Sequence, residues 1–210
     1  MSVAPLNYLL SRCSVKYVQA PGPTDEHLAL ILQAAMSAPD HGRERPWRFA
    51  LIRGAAVMHL AELALAATER AGRPITAAKE ASTRAWLEKV PLLIAVACHL
   101  DSVSTRIPEH ERMLAVGASV TNMLNAAHML GYGAYWSTGL GTYVDEVNDA
   151  LGFEKPGYRC MGHVSIGTPI QTPAPVKRPD YQAFVSEWTG VGEQAIPAHA
   201  AASMPAGLTD

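Results

Sequence analysis

Residues 92–97 form an unbroken apolar run that starts directly after Pro91. A strand with one face in water needs polar residues at alternate positions. This run has none, so it predicts a strand buried on both faces, and such a strand needs a packed layer on each side of its sheet. The rest of the chain supplies helices for those layers. Leu28, Ile31, Leu32, Ala35 and Met36 recur at helical spacing behind Thr24, a hydroxyl residue suited to cap the first turn. Asp25 and Glu26 then sit where acids complement the helix dipole. Residues 55–71 and 77–88 read as two further helices. The longest, 109–130, aligns Val116, Val120, Met123, Leu124, Ala127 and Leu130 on one face and stops at Gly131, a favoured helix terminator. Its Gly117, Ala118 and Ser119 are small enough to let another backbone approach closely.

Short helices are expected at 6–13 and 143–151, and further strands at 47–52, 134–137 and 159–166. Loops at 39–46 and 138–142 lie between them. Helices alternate with a few strands, which predicts an α+β sandwich with helices on both faces of a small sheet. We expect one domain over 1–188 and a flexible Ala- and Pro-rich tail over 189–210.

Bulk properties narrow the function. Seventeen basic residues against nineteen acidic ones give a net charge of −2, so no basic field points to nucleic acid. Cys13, Cys98 and Cys160 are too few and too dispersed for a disulfide framework or a zinc site. No metal is expected. Met1 to Leu10 lacks a signal-peptide pattern and no apolar run spans a bilayer, so a cytoplasmic protein is expected. There is no Gly-x-Ser-x-Gly elbow, Walker loop or His-Glu-x-x-His pair.

Four segments could still carry chemistry. Arg12-Cys13-Ser14-Val15-Lys16 places a guanidinium, a hydroxyl and an ammonium at alternate positions of an extended stretch. By spacing alone it reads more readily as a solvated basic turn. Residues 38–47 form a polar loop between two prolines, in which Asp40 and His41 could pair or simply shape a turn. Residues 131–141 are glycine-rich, but their spacing is not that of a dinucleotide fingerprint. Lys177 and Arg178 could close on a phosphate or be solvated.

Together, in order and spacing, these segments resemble the FMN-dependent nitroreductase family over roughly residues 6–188, in particular its compact bacterial NAD(P)H nitroreductases. Arg12-Cys13-Ser14-Val15-Lys16-Tyr17 is similar to the family's opening Arg-x-Ser-x-Lys. Ala38-Pro39-Asp40-His41 through Pro46-Trp47-Arg48-Phe49 resembles its second motif. Asn122, Ala126, Ala127, Gly131 and Gly133 match the third, and Gly167-Thr168-Pro169 with Arg178 the last.

The resemblance implies a three-layer sandwich with a small, mostly antiparallel sheet, assembled as a homodimer with flavin between two chains. Arg12 and Ser14 would hold the phosphate and ribityl chain, with Cys13 between them and Lys16 near flavin N1 and O2. Ser37, Pro39, Asp40 and His41 would reach the flavin bound mainly by the other subunit. Trp136, Ser137, Thr138 and Gly139 would line the ring edge, and Arg178 would close on the phosphate. NADH or NADPH would reduce the flavin, which would then reduce a nitroaromatic, quinone or enone in ping-pong order. No catalytic side chain is required. Cys13 and Arg45 stand where the family has Arg and Gln, which leaves open a non-catalytic flavin-binding or sensing protein.

Overall fold

The run at 92–97 lies inside β3 (Leu92–His99), whose first seven residues are at most 2% exposed. The structure, a computed structural model, describes residues 4–100, 107–188 and 190. The chain divides into two units, Met1–Ala174 and Pro175–Asp210. In the first, β3 follows α1 (Ala4–Ser11), β1 (Val18–Gln19), α2 (Asp25–Ala35), a 3-10 turn (His41–Arg43), β2 (Trp47–Arg53), α3 (Ala55–Arg70) and α4 (Ala77–Leu87). After it come α5 (Glu109–Met129), β4 (Gly133–Ser137), α6 (Asp145–Ala150) and β5 (Tyr158–Pro169).

All strand pairs are antiparallel. β3 lies between β2 and β5, β4 takes the other edge of β5, and β1 adds two residues at the end of β5. Side chains of β3 alternate between two cores. Ile94, Val96 and Cys98 pack with residues of α2 and α5, including Ile31, Val120 and Met123. Leu93, Ala95 and Ala97 pack with the other layer, including Leu60 and Ala61 of α3, Leu87 of α4 and Val147 of α6. Each fully buried Leu, Ile, Val or Met side chain contributes about 1.5–3 kcal/mol relative to exposure. Helix starts follow sequence chemistry: the Thr24 hydroxyl accepts the His27 N–H at 3.2 Å, and the Thr76 hydroxyl accepts the Lys79 N–H at 3.2 Å.

One irregularity sets the geometry beside β4. The β3–β5 register shifts between Val96 and Ala97, which face Gly162 and Cys160 and leave Met161 as the extra residue of a bulge. Gly162 has φ +106°, and a methyl group there would overlap the Ser137 carbonyl. The Trp136 indole N–H donates to the Met161 carbonyl at 2.9 Å, which satisfies a group that the bulge frees from the ladder.

The elements match the expected order, with shifted ends. α1 starts and ends two residues before the expected 6–13. α6 begins later than expected because Val144 is still extended, at φ −113° and ψ 117°. β5 runs to Pro169 because Gly133 pairs Gly167 and β1 pairs the last two residues. β1 escaped the sequence reading, since two residues carry no periodicity. In the second unit a 3-10 turn, Tyr181–Phe184, is started by the Asp180 carboxylate accepting the Gln182 N–H at 3.0 Å. The expected tail at 189–210 lies outside the described residues, apart from Gly190. Among the described residues no helix is long and apolar enough to cross a membrane.

Gly162→Ala is expected to destabilise the chain by about 1–3 kcal/mol, the cost of a side chain forced into a strained backbone region. Urea denaturation measures it, and an unchanged midpoint would show that the bulge does not need glycine.

Candidate functional site

The bulge and Trp136 fix the end of β4, and the chain leaves that edge as the loop 138–144. Leu140 and Gly141 both have positive φ, +53° and +70°. A side chain at Gly141 would press on Val147 at 2.7 Å. The loop is braced from within. Buried Thr142 donates its hydroxyl to the Gly139 carbonyl at 2.6 Å, and the buried Asn148 amide donates to the Thr142 carbonyl at 3.2 Å. Thr138 and Gly139 remain exposed.

This loop walls a cavity of ≈ 230 Å³. Leu65 and Thr68 of α3, Lys79 and Thr83 of α4, and Arg73 and Ile75 from the link between them form the opposite side. Neither Arg73 nor Lys79 forms an ion pair among the described residues, whereas Arg70 and Arg84 close by each do. The chamber is thus an apolar slot with two uncompensated cations at its rim. Small-molecule sites commonly run to about 300–1,000 Å³, so the slot has the size of part of a site.

Behind the loop lies His163, 1% exposed, with Nδ1 3.5 Å from the Thr142 hydroxyl. Its Nε2 has no hydrogen-bond partner, nor does the Oγ of buried Ser165 two residues on. Burial pushes the His163 imidazole down to about 4. Burial likewise raises the Cys98 thiol to about 11 and raises that of Cys160, so neither is a nucleophile near neutrality. Among the described residues no three His, Cys, Asp or Glu side chains gather as metal ligands do.

The segment 12–16 runs alongside β4, with the Val15 N–H donating to the Ala134 carbonyl at 2.9 Å. Arg12, Cys13 and Lys16 are half-buried and Ser14 is exposed. The Lys16 ammonium lies 5.2 Å from the centre of the Trp86 ring, whose indole N–H donates to the Lys16 carbonyl at 2.9 Å. Trp86 stands one turn along α4 from Thr83 of the slot. Sequence reasoning picked out Lys16 but not Trp86, Arg73 or Lys79; nothing in a lone Arg-Pro link or a lysine in a helix's first turn marks a cavity wall.

The loop 37–46 sits on the other helical layer. Ser37 donates to the Ala34 carbonyl at 2.7 Å and accepts from the Asn122 amide of α5 at 3.2 Å. Pro39 is exposed. The pairing of Asp40 with His41 considered from sequence does not form. Positive φ at Gly42, Arg43 and Arg45 turns the backbone so that the Asp40 carboxylate accepts the Arg45 N–H at 2.7 Å. His41 Nδ1 instead meets the Glu111 carboxylate of α5 at 2.5 Å. Because α5 and the slot belong to opposite layers, one chain does not bring Ser37, Pro39, Asp40 and His41 to the slot. Of the four ring-edge residues, Thr138 and Gly139 line the slot. Ser137 precedes them, and Trp136 packs on the α2–α5 side with its indole engaged by Met161. Arg178 belongs to the second unit.

Comparison with known proteins gives a consistent result. Residues 9–168 match the family model described as the nitroreductase family. The Escherichia coli (strain K12) protein named "Putative NAD(P)H nitroreductase YdjA" is 31% identical over 188 residues, covering 86% of this chain and 97% of that protein. Among solved structures, a nitroreductase-like family protein from Bacillus cereus superposes with a TM-score of 0.73 at 22% identity, over 90% of this chain and 97% of that one. A Desulfovibrio desulfuricans protein described as a "putative nitroreductase in complex with fmn" gives 0.69 at 23% identity, over 89% and 98%.

The buried imidazole makes stability depend on pH. Its folded value lies below the ordinary 6.5. Between the two values the unfolded chain therefore binds a proton that the folded chain does not, and stability falls as pH drops from about 6.5 toward 4. Wild type is expected to lose about 2 kcal/mol more than His163→Leu between pH 7 and pH 5. Urea titrations at both pH values measure this, and parallel losses in the two proteins would sink the assignment.

Proposed function

The chain belongs to the nitroreductase family, and from that premise we propose that it is an FMN-dependent NAD(P)H oxidoreductase acting as a homodimer. The observation that carries the proposal is the glycine-walled slot at the end of β4, with uncompensated cations at its rim and the Arg12–Lys16 segment running beside the same strand. The donors around this end of β4 fit FMN: an apolar slot for the ring, backbone N–H groups at Thr138 and Gly139, ammonium groups for the pyrimidine edge, and Arg12 and Ser14, on the segment beside β4 and outside the slot lining, for the phosphate. When bound, FMN would supply two-electron hydride chemistry between NADH or NADPH and a nitroaromatic, quinone or enone in ping-pong order.

The protein's part is binding and electrostatics. Lys16, held over Trp86, and Lys79 at the slot rim would supply positive charge for the pyrimidine edge and so favour a reduced, anionic ring. The braced loop offers Gly139 N–H without having to reorganise, because the Thr142 and Asn148 bonds already hold it. Thr142 and His163 lie buried behind that wall.

The slot's modest volume and the position of the loop 37–46 on the far layer support a site made by two chains. So does an apolar surface on α1 and α5, where Leu6, Leu9, Leu10 and Leu114 are all at least 45% exposed. Gly117 of α5 has nothing within 4 Å of where a Cβ would stand. No contact among the described residues accounts for that glycine, and close packing against a second copy of α5 would. Ser37, Pro39, Asp40 and His41 of one copy would then complete the slot of the other.

Purified protein is expected to be yellow, to run as a dimer, and to bleach when NADH or NADPH is added without oxygen. Arg12→Ala is expected to weaken FMN binding by about 1.5–3 kcal/mol, the loss of a charge-assisted hydrogen bond. Fluorescence titration with FMN measures this. A colourless protein that takes up no added FMN would remove the proposal, and bound flavin that neither nicotinamide reduces would favour a sensor.

A further inference from the structure

Next to the slot lies a second hollow of different character. A cleft of ≈ 430 Å³ runs between the end of α3, the start of α6 and Lys155, and it shares Arg73, Tyr143 and Val144 with the slot. The slot is mainly apolar, whereas this cleft is charged. Arg70, Arg73 and Lys155 line it against Asp145 and Glu146, so its three cations exceed its two anions by one. Both anions are engaged. Arg70 forks onto the Glu146 carboxylate at 2.5 and 3.2 Å, and Lys155 meets Asp145 at 2.7 Å. The uncompensated charge is therefore on Arg73, at the junction of the two hollows. Tyr143 stands at the same junction and is 65% exposed.

Building on the reading that a flavin ring occupies the slot, we propose that this cleft binds the phosphate-bearing part of the reduced nicotinamide dinucleotide, with Arg73 recognising its phosphate oxygens. A donor that lays its nicotinamide on a ring in the slot must lead the rest of its length out through an adjoining opening. The cleft is such an opening, and it is the polar one. Guanidinium forks match phosphate oxygens in geometry as well as charge. Arg70 and Lys155 hold the two carboxylates in ion pairs, which limits their repulsion of an incoming anion and leaves Arg73 to make the contact. The exposed ring of Tyr143 offers a stacking face to one of the donor's bases. An acceptor that carries a carboxylate presents the same anionic chemistry, so the test separates the two sources.

The experiment uses FMN-loaded wild type, Arg73→Gln and Arg73→Lys. Calorimetric titration with NADP⁺ is expected to show about ten- to hundredfold weaker binding for Arg73→Gln, the loss of one charge-assisted contact. Arg73→Lys should recover part of that affinity, and raising the salt should narrow the gap between wild type and the Gln variant. In stopped flow, Arg73→Gln should raise the NADPH concentration that gives half-maximal flavin reduction far more than it lowers the limiting rate. Equal NADP⁺ affinity in wild type and Arg73→Gln would overturn the proposal. So would a defect confined to an anionic acceptor such as a nitrobenzoate, which would assign Arg73 to the acceptor instead. Loss of FMN from Arg73→Gln would also overturn it, by assigning Arg73 to the flavin. These outcomes are distinct from failure of the functional reading itself, in which wild type would take up no FMN at all.

Discussion

The fold depends on β3 having no face in water. A strand whose first seven residues are at most 2% exposed has to be covered twice, so the chain supplies α2 and α5 on one side and α3, α4 and α6 on the other. With both faces closed, a ligand of any size can enter only at an edge or an end of the sheet. β4 forms such an edge, and the candidate site lies where the chain leaves it. The location of the site thus follows from the burial of a strand that contributes no residue to it.

That edge also carries the irregular backbone. The bulge at Met161, the left-handed Gly162 beside Ser137, and consecutive positive φ at Leu140 and Gly141 all fall within a few residues of the slot wall. A regular ladder would carry β4 straight on. Here the strand ends where Trp136 is fastened to Met161, and the next residues turn over α3 with Thr142 and Asn148 locking the turn. Strain of this kind persists only where surrounding packing over-determines it. The buried hydroxyl, amide and imidazole behind the loop supply that determination with hydrogen bonds, and apolar side chains of the same size could not.

Much of the fold was legible in sequence because its signals are local and periodic. The apolar run at 92–97, the Thr24 cap and the stripe from Val116 to Leu130 each identify an element from a single stretch of chain. The Arg12, Ser14 and Lys16 spacing and the two-proline loop were legible in the same way. Relations between distant segments were not. Trp86 beneath Lys16, Glu111 against His41, and the cavity shared by Arg73, Lys79 and the loop 138–144 each join residues many positions apart. Asp40 shows the limit most clearly. Sequence left it two roles, a pair with His41 or a turn, and positive φ at Gly42 and Arg43 selects the turn, with the carboxylate on the Arg45 N–H. Adjacency in sequence predicts contact only while the backbone stays regular.

Ser37 and His41 are tied to α5 through Asn122 and Glu111, so they move with the α2–α5 layer. The slot belongs to the α3–α4 layer on the other side of β3. In one chain the two sets therefore stand on opposite sides of β3. If both serve the same ligand, the second set has to come from another copy. The exposed leucines of α1 and α5 lie on the helical layer that carries that set, so one association would bury this apolar surface and complete the site together.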